Sequence, residues 1–368
     1  MHVDSTPSLS SNLDLLRSVA VLLVLVAHLL VFFGVERGGV IDPFEVGHLG
    51  VLFFFVHTSL VLMMSLERQS EHAHGRHLFL GFYLRRFFRI YPLAFLVVLT
   101  LALLRVPSAS VSEGSFKVMY EGTGQLLTNL FLIQNLTYHE EILGPLWSLP
   151  IEIQMYIFLP FLFIWARRLG SAAPLALVWC AGVGLAIVQP SVSGRLDLLL
   201  YAPCFLPGIL AYKFLEKTPR RLPAASWPVA IAGLIGLYLL LARFDPFLEG
   251  IDERKGKGIE EAKGWIVCLV LGWLAPRFRE ISIPWLRWAS GWVAKHSYGI
   301  YLIHFFCIWF AFIRLDFLPA ALQWVVFAAS LLGLPYVLFY AIESPLNHFG
   351  IRLAERLGTH RDVHATAH

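Results

Sequence analysis

Charge is what this chain has least of. Of its 368 residues, 15% are Asp, Glu, Lys or Arg, while 57% are hydrophobic. Soluble domains average about 25% charged. A chain this poor in charge cannot coat a water-facing surface, so lipid must face much of it. Ten-residue segments of alternating polarity are also missing, which excludes a membrane β-barrel. The apolar runs are roughly 15–22 residues long, and in lipid a helix pairs every backbone N–H and C=O within such a run. Cysteine is scarce: Cys180, Cys204, Cys268 and Cys307 all sit inside apolar runs. They read as small buried side chains, not as disulfides or a metal site. His72, His74 and His77 have no cysteine partners and read as solvated loop residues, so no metal is expected. No cleavable leader is recognised, because the first run, Leu15–Gly34, is followed by many more and is itself a span. The net charge of +4 is modest, and no nucleic-acid partner is expected.

The expected fold class is all-α: a polytopic integral membrane bundle of about ten transmembrane helices. Spans are read near 15–34, 48–66, 82–104, 146–166, 172–189, 196–214, 227–242, 264–276, 294–313 and 319–342. Residues 1–14 form an N-terminal segment, 15–346 one membrane domain, and 347–368 a C-terminal tail. Within the longest connection, 105–145, the stretch Leu126–Leu136 is too short to cross and is expected to lie in the interface or re-enter. With ten spans both ends share one side, which then carries nineteen of the 29 Lys and Arg residues. Five of the other ten lie in the acid-balanced loop 243–263. The basic bias places both termini in the cytoplasm.

Ionisable groups at membrane depth cost free energy and usually line a cavity or path. Arg17 and His28 lie eleven residues apart on the first span, so they share a face about 16 Å apart along the axis. Arg17 is then at the cytoplasmic mouth and His28 deep inside, which suits a long donor with an anionic head and a reactive tip. His57, Glu152 and His304 fall in the same layer by helical rise. One polar pocket accounts for that shared depth. A neutral imidazole is the usual base for activating a hydroxyl near pH 7. Glu152 could orient His28 or bind acceptor hydroxyls. Arg86 and Arg89, three apart where the third span leaves the cytoplasm, share a face suited to phosphate. Read singly, each has a bland account: anchoring arginines, a satisfied histidine, a structural ion pair.

These residues resemble a known family. Arg17 with ten residues before His28 resembles the opening signature of the membrane acyltransferase-3 family. Arg86-Phe87-Phe88-Arg89-Ile90-Tyr91-Pro92 is similar to its second basic motif. Leu146-Trp147-Ser148-Leu149-Pro150-Ile151-Glu152, continuing to Tyr156 and Pro160, is similar to its Trp-Ser-Leu…Glu segment. Ser297 to His304 resembles its penultimate span, and Glu343-Ser344-Pro345 its closing motif. The match runs in order from about residue 12 to residue 346.

The resemblance implies transfer of an acyl group, most often acetyl, from cytoplasmic acyl-coenzyme A to a hydroxyl of a surface or secreted carbohydrate or glycolipid. It implies an integral protein of the cytoplasmic (inner) membrane, His28 as base or acyl relay, and Arg17, Arg86 and Arg89 at the donor. Acetyl-CoA or another acyl-CoA is the expected donor. Catalytic roles go to His28 and Glu152, and substrate contacts to His57, Trp147, Ser148, Tyr301 and His304. One stretch departs: Thr58-Ser59 stands where the family often has Ser-Gly, and His57 is added. Losing the glycine implies a wider spacing of the first two spans.

Two rival classes remain at this level. Buried His and Glu also suit a proton-coupled transporter or flippase, though no inverted repeat with paired broken helices is found. A structural membrane subunit explains the hydrophobicity but not the polar layer. Within the enzyme class, either His28 activates the acceptor directly, or His28 or Ser148 carries the acyl group across. Trp147, Tyr298 and Tyr301 could stack on a sugar or serve as belt and core aromatics. The sequence assigns no oligomeric state.

Overall fold

The computed structural model describes residues 10–36, 38–39, 42–108, 117–193, 197–215, 219–243 and 261–359. Residues 1–9 of the N-terminal segment, 244–260 of the acid-balanced loop and 360–368 of the tail lie outside the described residues. Each of the ten apolar segments is a helix. They are α1 (Ser11–Phe32), α2 (Pro43–Ser70), α3 (Gly75–Leu103), α6 (Ser148–Arg168) and α7 (Ala173–Val192). Then follow α8 (Asp197–Leu215), α9 (Ser226–Ala242), α10 (Ala262–Leu274), α11 (Pro284–Ile308) and α12 (Ala320–Leu338). Seven helical stretches are long and apolar enough to cross a membrane, while α7 and α9 are shorter apolar helices. The α10 helix spans only 13 residues and gives way to a 3-10 turn at Ala275–Arg277 that contains Pro276, whose ring removes a backbone donor. The described residues contain isolated β-bridges but no strand.

The start of α1 is fixed by polar side chains. Ser10 caps it by accepting from Leu13 N, and the orphan donors of the first turn need such partners. Ser10 Oγ, Ser11 Oγ and Asn12 N all donate to the Glu280 carboxylate, at 2.8, 2.9 and 3.1 Å. Asn12 Oδ1 accepts from Ile281 N at 3.2 Å. This clamp ties α1 to the α10–α11 connection and sets the depth of Arg17 and His28.

The first two spans are close, not spread. A Cβ at Gly50 would sit 2.6 Å from Ala20 O, and one at Gly47 would sit 2.9 Å from Ala27 Cβ. The expected widening fails because Ser59 faces α8 instead of α1. Its Oγ donates to Phe205 O at 2.7 Å. The missing glycine is matched from the other helix: a Cβ at Gly208 would fall 2.0 Å from Ser59 Oγ and 2.4 Å from Val56 O.

The 105–145 connection forms two short helices, α4 (Thr123–Leu130) and α5 (Gln134–Thr137), both too short to span. Buried amides tie them to the following loop. Asn129 Nδ2 donates to Glu140 O, its Oδ1 accepts from Ile142 N, and Gln134 Nε2 donates to Leu146 O, each at 3.0 Å. The chain beyond α12 continues through a π-helical turn, Phe339–Glu343, into α13 (Ser344–Thr359). The expected tail therefore begins as an ordered helix, with Phe349 packed against Phe88 of α3.

Candidate active site

Two cavities meet inside the bundle. The first, of about 80 Å³, is lined by Arg17 of α1, His57 and Thr58 of α2, and Arg86 and Arg89 of α3, with Ser148, Glu152 and Tyr156 of α6 opposite. Arg17 Nε donates to Ser297 Oγ at 2.6 Å. Arg89 is ion-paired with the buried Glu343 from the π-helical turn. Tyr156 donates its hydroxyl proton to Glu152. Both carboxylates interact electrostatically with Arg17. Three guanidiniums against two carboxylates leave this chamber net positive, in surroundings where charge is poorly screened. Planar guanidinium forks bind phosphate oxygens in pairs. His57 is buried, and its Nδ1 has no hydrogen-bond partner among the described residues.

The second cavity, of about 230 Å³, is lined by His28 of α1, His48 of α2, Tyr201 of α8, and Glu141 and Trp147 from either end of the turn before α6. No arginine is among the described residues that line it. Val51 and Tyr301 line both cavities and form the partition between them. The Tyr301 hydroxyl lies 2.5 Å from Pro145 O and 2.8 Å from Ser148 Oγ. A carbonyl can only accept, so Tyr301 donates to Pro145 and Ser148 donates to Tyr301.

Around His28 the proton positions follow from which groups can only accept. His304 Nδ1 faces the carbonyls of Tyr301 and Ile300, at 2.8 and 3.2 Å. It must carry the proton there, which leaves its Nε2 as an acceptor. That Nε2 lies 3.1 Å from His28 Nδ1, which also lies 2.9 Å from Val24 O. Both neighbours accept, so His28 carries its proton on Nδ1. Its Nε2 keeps a lone pair, and no hydrogen bond engages that atom among the described residues. A deep imidazole with a fixed tautomer and an unengaged nitrogen is equipped to take a proton.

The polar layer expected from the sequence therefore divides. Arg17, Arg86, Arg89, His57, Ser148 and Glu152 share the first cavity; His28 and Trp147 line the second; Tyr301 belongs to both. His304 lines neither and stands beside His28. A continuous shaft from Arg17 to His28 is interrupted by Tyr301 and Val51. His304, not Glu152, partners the His28 ring, because α11 packs along α1 at that depth while Glu152 turns to Tyr156. Tyr298 also lines the first cavity, and its hydroxyl donates to Ile90 O at 2.7 Å.

Sequence reasoning missed His48, Glu141, Tyr201 and Glu261. Glu261 Oε2 lies 3.5 Å from His48 Nε2, and Tyr201 donates to Glu261 Oε1 at 3.4 Å. His48 carried a usable signal, since it lies one turn from Phe44 and Val51 and two from Phe55 on one face of α2. Tyr201 and Glu261 carried none, being joined to His48 only across three helices.

The chain was compared with known proteins. A family model described as an acyltransferase domain, that of the acyltransferase-3 family, matches residues 10–340. No curated protein and no solved structure matches the chain.

Proposed function

Given that the chain belongs to the acyltransferase-3 family and is a membrane acyltransferase, we propose that it transfers an acyl group from cytoplasmic acyl-coenzyme A to a carbohydrate hydroxyl. Acetyl is the group we assign, and the cytoplasmic membrane its location. The basic bias of the connecting segments supports both termini and the arginine cavity facing the cytoplasm. The observation that carries this reading is the division of chemistry between abutting chambers. Anion-binding guanidiniums occupy one, and an imidazole with an unengaged Nε2 occupies the other.

In this reading Arg17, Arg86 and Arg89 hold the phosphates of the donor, and the thioester reaches the partition at Tyr301. A space of about 80 Å³ holds only a few waters, so donor entry must move the partition or spread the helices. The acceptor hydroxyl lies beside His28. Its oxygen attacks the thioester carbonyl carbon while His28 Nε2 takes its proton. The carbon–sulfur bond then breaks, and the leaving thiolate of coenzyme A recovers that proton from the imidazolium. His304 accepts from His28 Nδ1–H throughout and so steadies the charged ring. The Ser148 hydroxyl, once turned from Tyr301 toward the thioester, is a donor for the developing oxyanion. Glu152 holds Tyr156 and balances the arginines.

Radiolabelled acetyl-CoA and purified protein in detergent provide the test. His28→Ala abolishes transfer without unfolding the protein. Arg17→Ala weakens coenzyme A binding about 10- to 100-fold, the loss of one charged hydrogen-bonding group of ~1.5–3 kcal/mol. Near-normal acetylation by His28→Ala refutes the base assignment. Unchanged coenzyme A affinity in Arg17→Ala refutes the donor site.

A further inference from the structure

The second cavity carries information about the acceptor itself. Its volume of about 230 Å³ falls below the ~300–1,000 Å³ of drug-sized sites, which suits a single sugar ring. Trp147 and Tyr201, with ring centroids 5.4 Å apart, give it aromatic walls. Among the described residues its charged lining is acidic. Glu141 lines it directly, and Glu261 stands behind His48 and Tyr201. The nearby Lys263 is turned to Glu45 at 2.9 Å.

The wall also holds polar atoms left without hydrogen bonds. His48 Nε2 and Glu261 Oε2 are both buried with no such partner among the described residues, and their 3.5 Å separation is longer than a good hydrogen bond. His48 is 6% exposed. A ligand hydroxyl reaching that corner satisfies both atoms, and a buried polar group left unpaired is costly. His48 Nδ1 is already 3.3 Å from Tyr238 Oη, so Nε2 is the atom left for a ligand.

Resting on the acyl-transfer reading above, we infer that this cavity takes a neutral or amino sugar and rejects an acidic one. Glu141 and the His48–Glu261 pair hold the acceptor's hydroxyl or ammonium groups. A uronate or sugar phosphate brings its charge against the half-buried Glu141 and Glu261 carboxylates, with no arginine among the described lining residues to offset it, and like charges in a weakly screened site repel strongly. Anion binding is thereby confined to the donor chamber.

The test compares glycans, by mass spectrometry, from cells lacking the gene and cells complemented with the full-length wild type, Glu141→Gln or His28→Ala. The expected acetate maps to an uncharged or amino sugar residue. Glu141→Gln lowers its occupancy about tenfold at equal protein level, and the purified variant binds acetyl-CoA as tightly as wild type. Acetate on a uronic acid or phosphorylated residue overturns the inference and leaves acyl transfer standing. Full occupancy with Glu141→Gln overturns it equally. No acetylation difference between deleted and complemented cells removes the acyl-transfer reading, and the acceptor inference with it.

Discussion

Replacing His304 with Phe separates the charge-steadying partner from everything else at the site. The residue touches neither cavity, so its loss leaves the donor arginines and the acceptor walls in place. What it removes is one acceptor, the Nε2 atom 3.1 Å from His28 Nδ1. In the resting state the loss is small, because Val24 O, at 2.9 Å, still accepts from His28. In the transition state the His28 ring is charged. A hydrogen bond to a charged group contributes ~1.5–3 kcal/mol, which at about 1.4 kcal/mol per decade is roughly a 10- to 150-fold fall in kcat. KM for acyl-CoA should stay within about twofold, since that site is formed by other residues. His304→Gln, whose amide oxygen can stand near the lost Nε2, should recover part of the rate. Initial rates at saturating donor, across a donor series, supply both constants, with thermal unfolding in detergent as a fold check. A folded His304→Phe enzyme with kcat within threefold of wild type would falsify the pairing argument. So would a variant whose defect lies in donor KM.

The clamp at the head of α1 makes stability pH-dependent. Burial alone would raise the Glu280 carboxyl, but hydrogen bonds from Ser10, Asn12 and Ser11 and the charge of Arg220 hold it below its ordinary value near 4.5. A depressed native value contributes stability above the unfolded value that is lost as pH falls through the native one. Tm should therefore drop on acidification below about pH 5, and Glu280→Gln should flatten that limb while lowering Tm at pH 7 by a few degrees, the effect of ~1 kcal/mol. Parallel acid limbs in the two proteins would show that Glu280 is not the group responsible. Gly208→Ala should destabilise by ~1–3 kcal/mol as overpacking, because a Cβ there meets the Val56 carbonyl at 2.4 Å, and backbone cannot yield as a side chain can. A thermal shift of under one degree would mean that α2 and α8 separate freely.

The helices were legible because lipid removes alternatives. A long apolar run with its backbone unsolvated has one spanning solution; all ten runs are helices, and seven helical stretches are long and apolar enough to cross. The arginine chamber was equally legible: Arg86 and Arg89 share a face by local geometry, and Arg17 lies at the same depth by helical rise. Depth, however, is one coordinate, and a bundle needs two more. Helical rise puts His28, His57 and Glu152 in one layer, yet His57 and Glu152 share the cavity of Arg17 while His28 lines the other, because placement across the bundle depends on which helices are neighbours. The partnership of His28 with His304 and that of His48 with Glu261 are contacts between segments more than two hundred residues apart. No periodicity within one helix encodes them. The wrong expectation at Ser59 has the same origin. A missing glycine reads as a gap only if the neighbour across it is known, and here the neighbour is Gly208.

The division into chambers bears on why the chemistry is directed. A thioester beside an exposed imidazole and water is hydrolysed, because the base that activates a sugar hydroxyl activates water as readily. In the closed arrangement the arginines proposed to hold the donor and the proposed base His28 lie on opposite sides of Tyr301 and Val51. Tyr301 is pinned by a carbonyl and a hydroxyl, and each such bond contributes ~0.5–1.5 kcal/mol. Turning its ring aside therefore costs ~1–3 kcal/mol, enough to keep the open state a minority and small enough for substrate contacts to reverse. Pro145, one of the two anchors, lies between Gly144 and Trp147, both of which line the acceptor cavity. Occupation of that cavity thus bears on the turn that holds the partition shut. The physical link between acceptor and donor chambers is this turn of four residues, Gly144–Trp147, and not the long helices on either side.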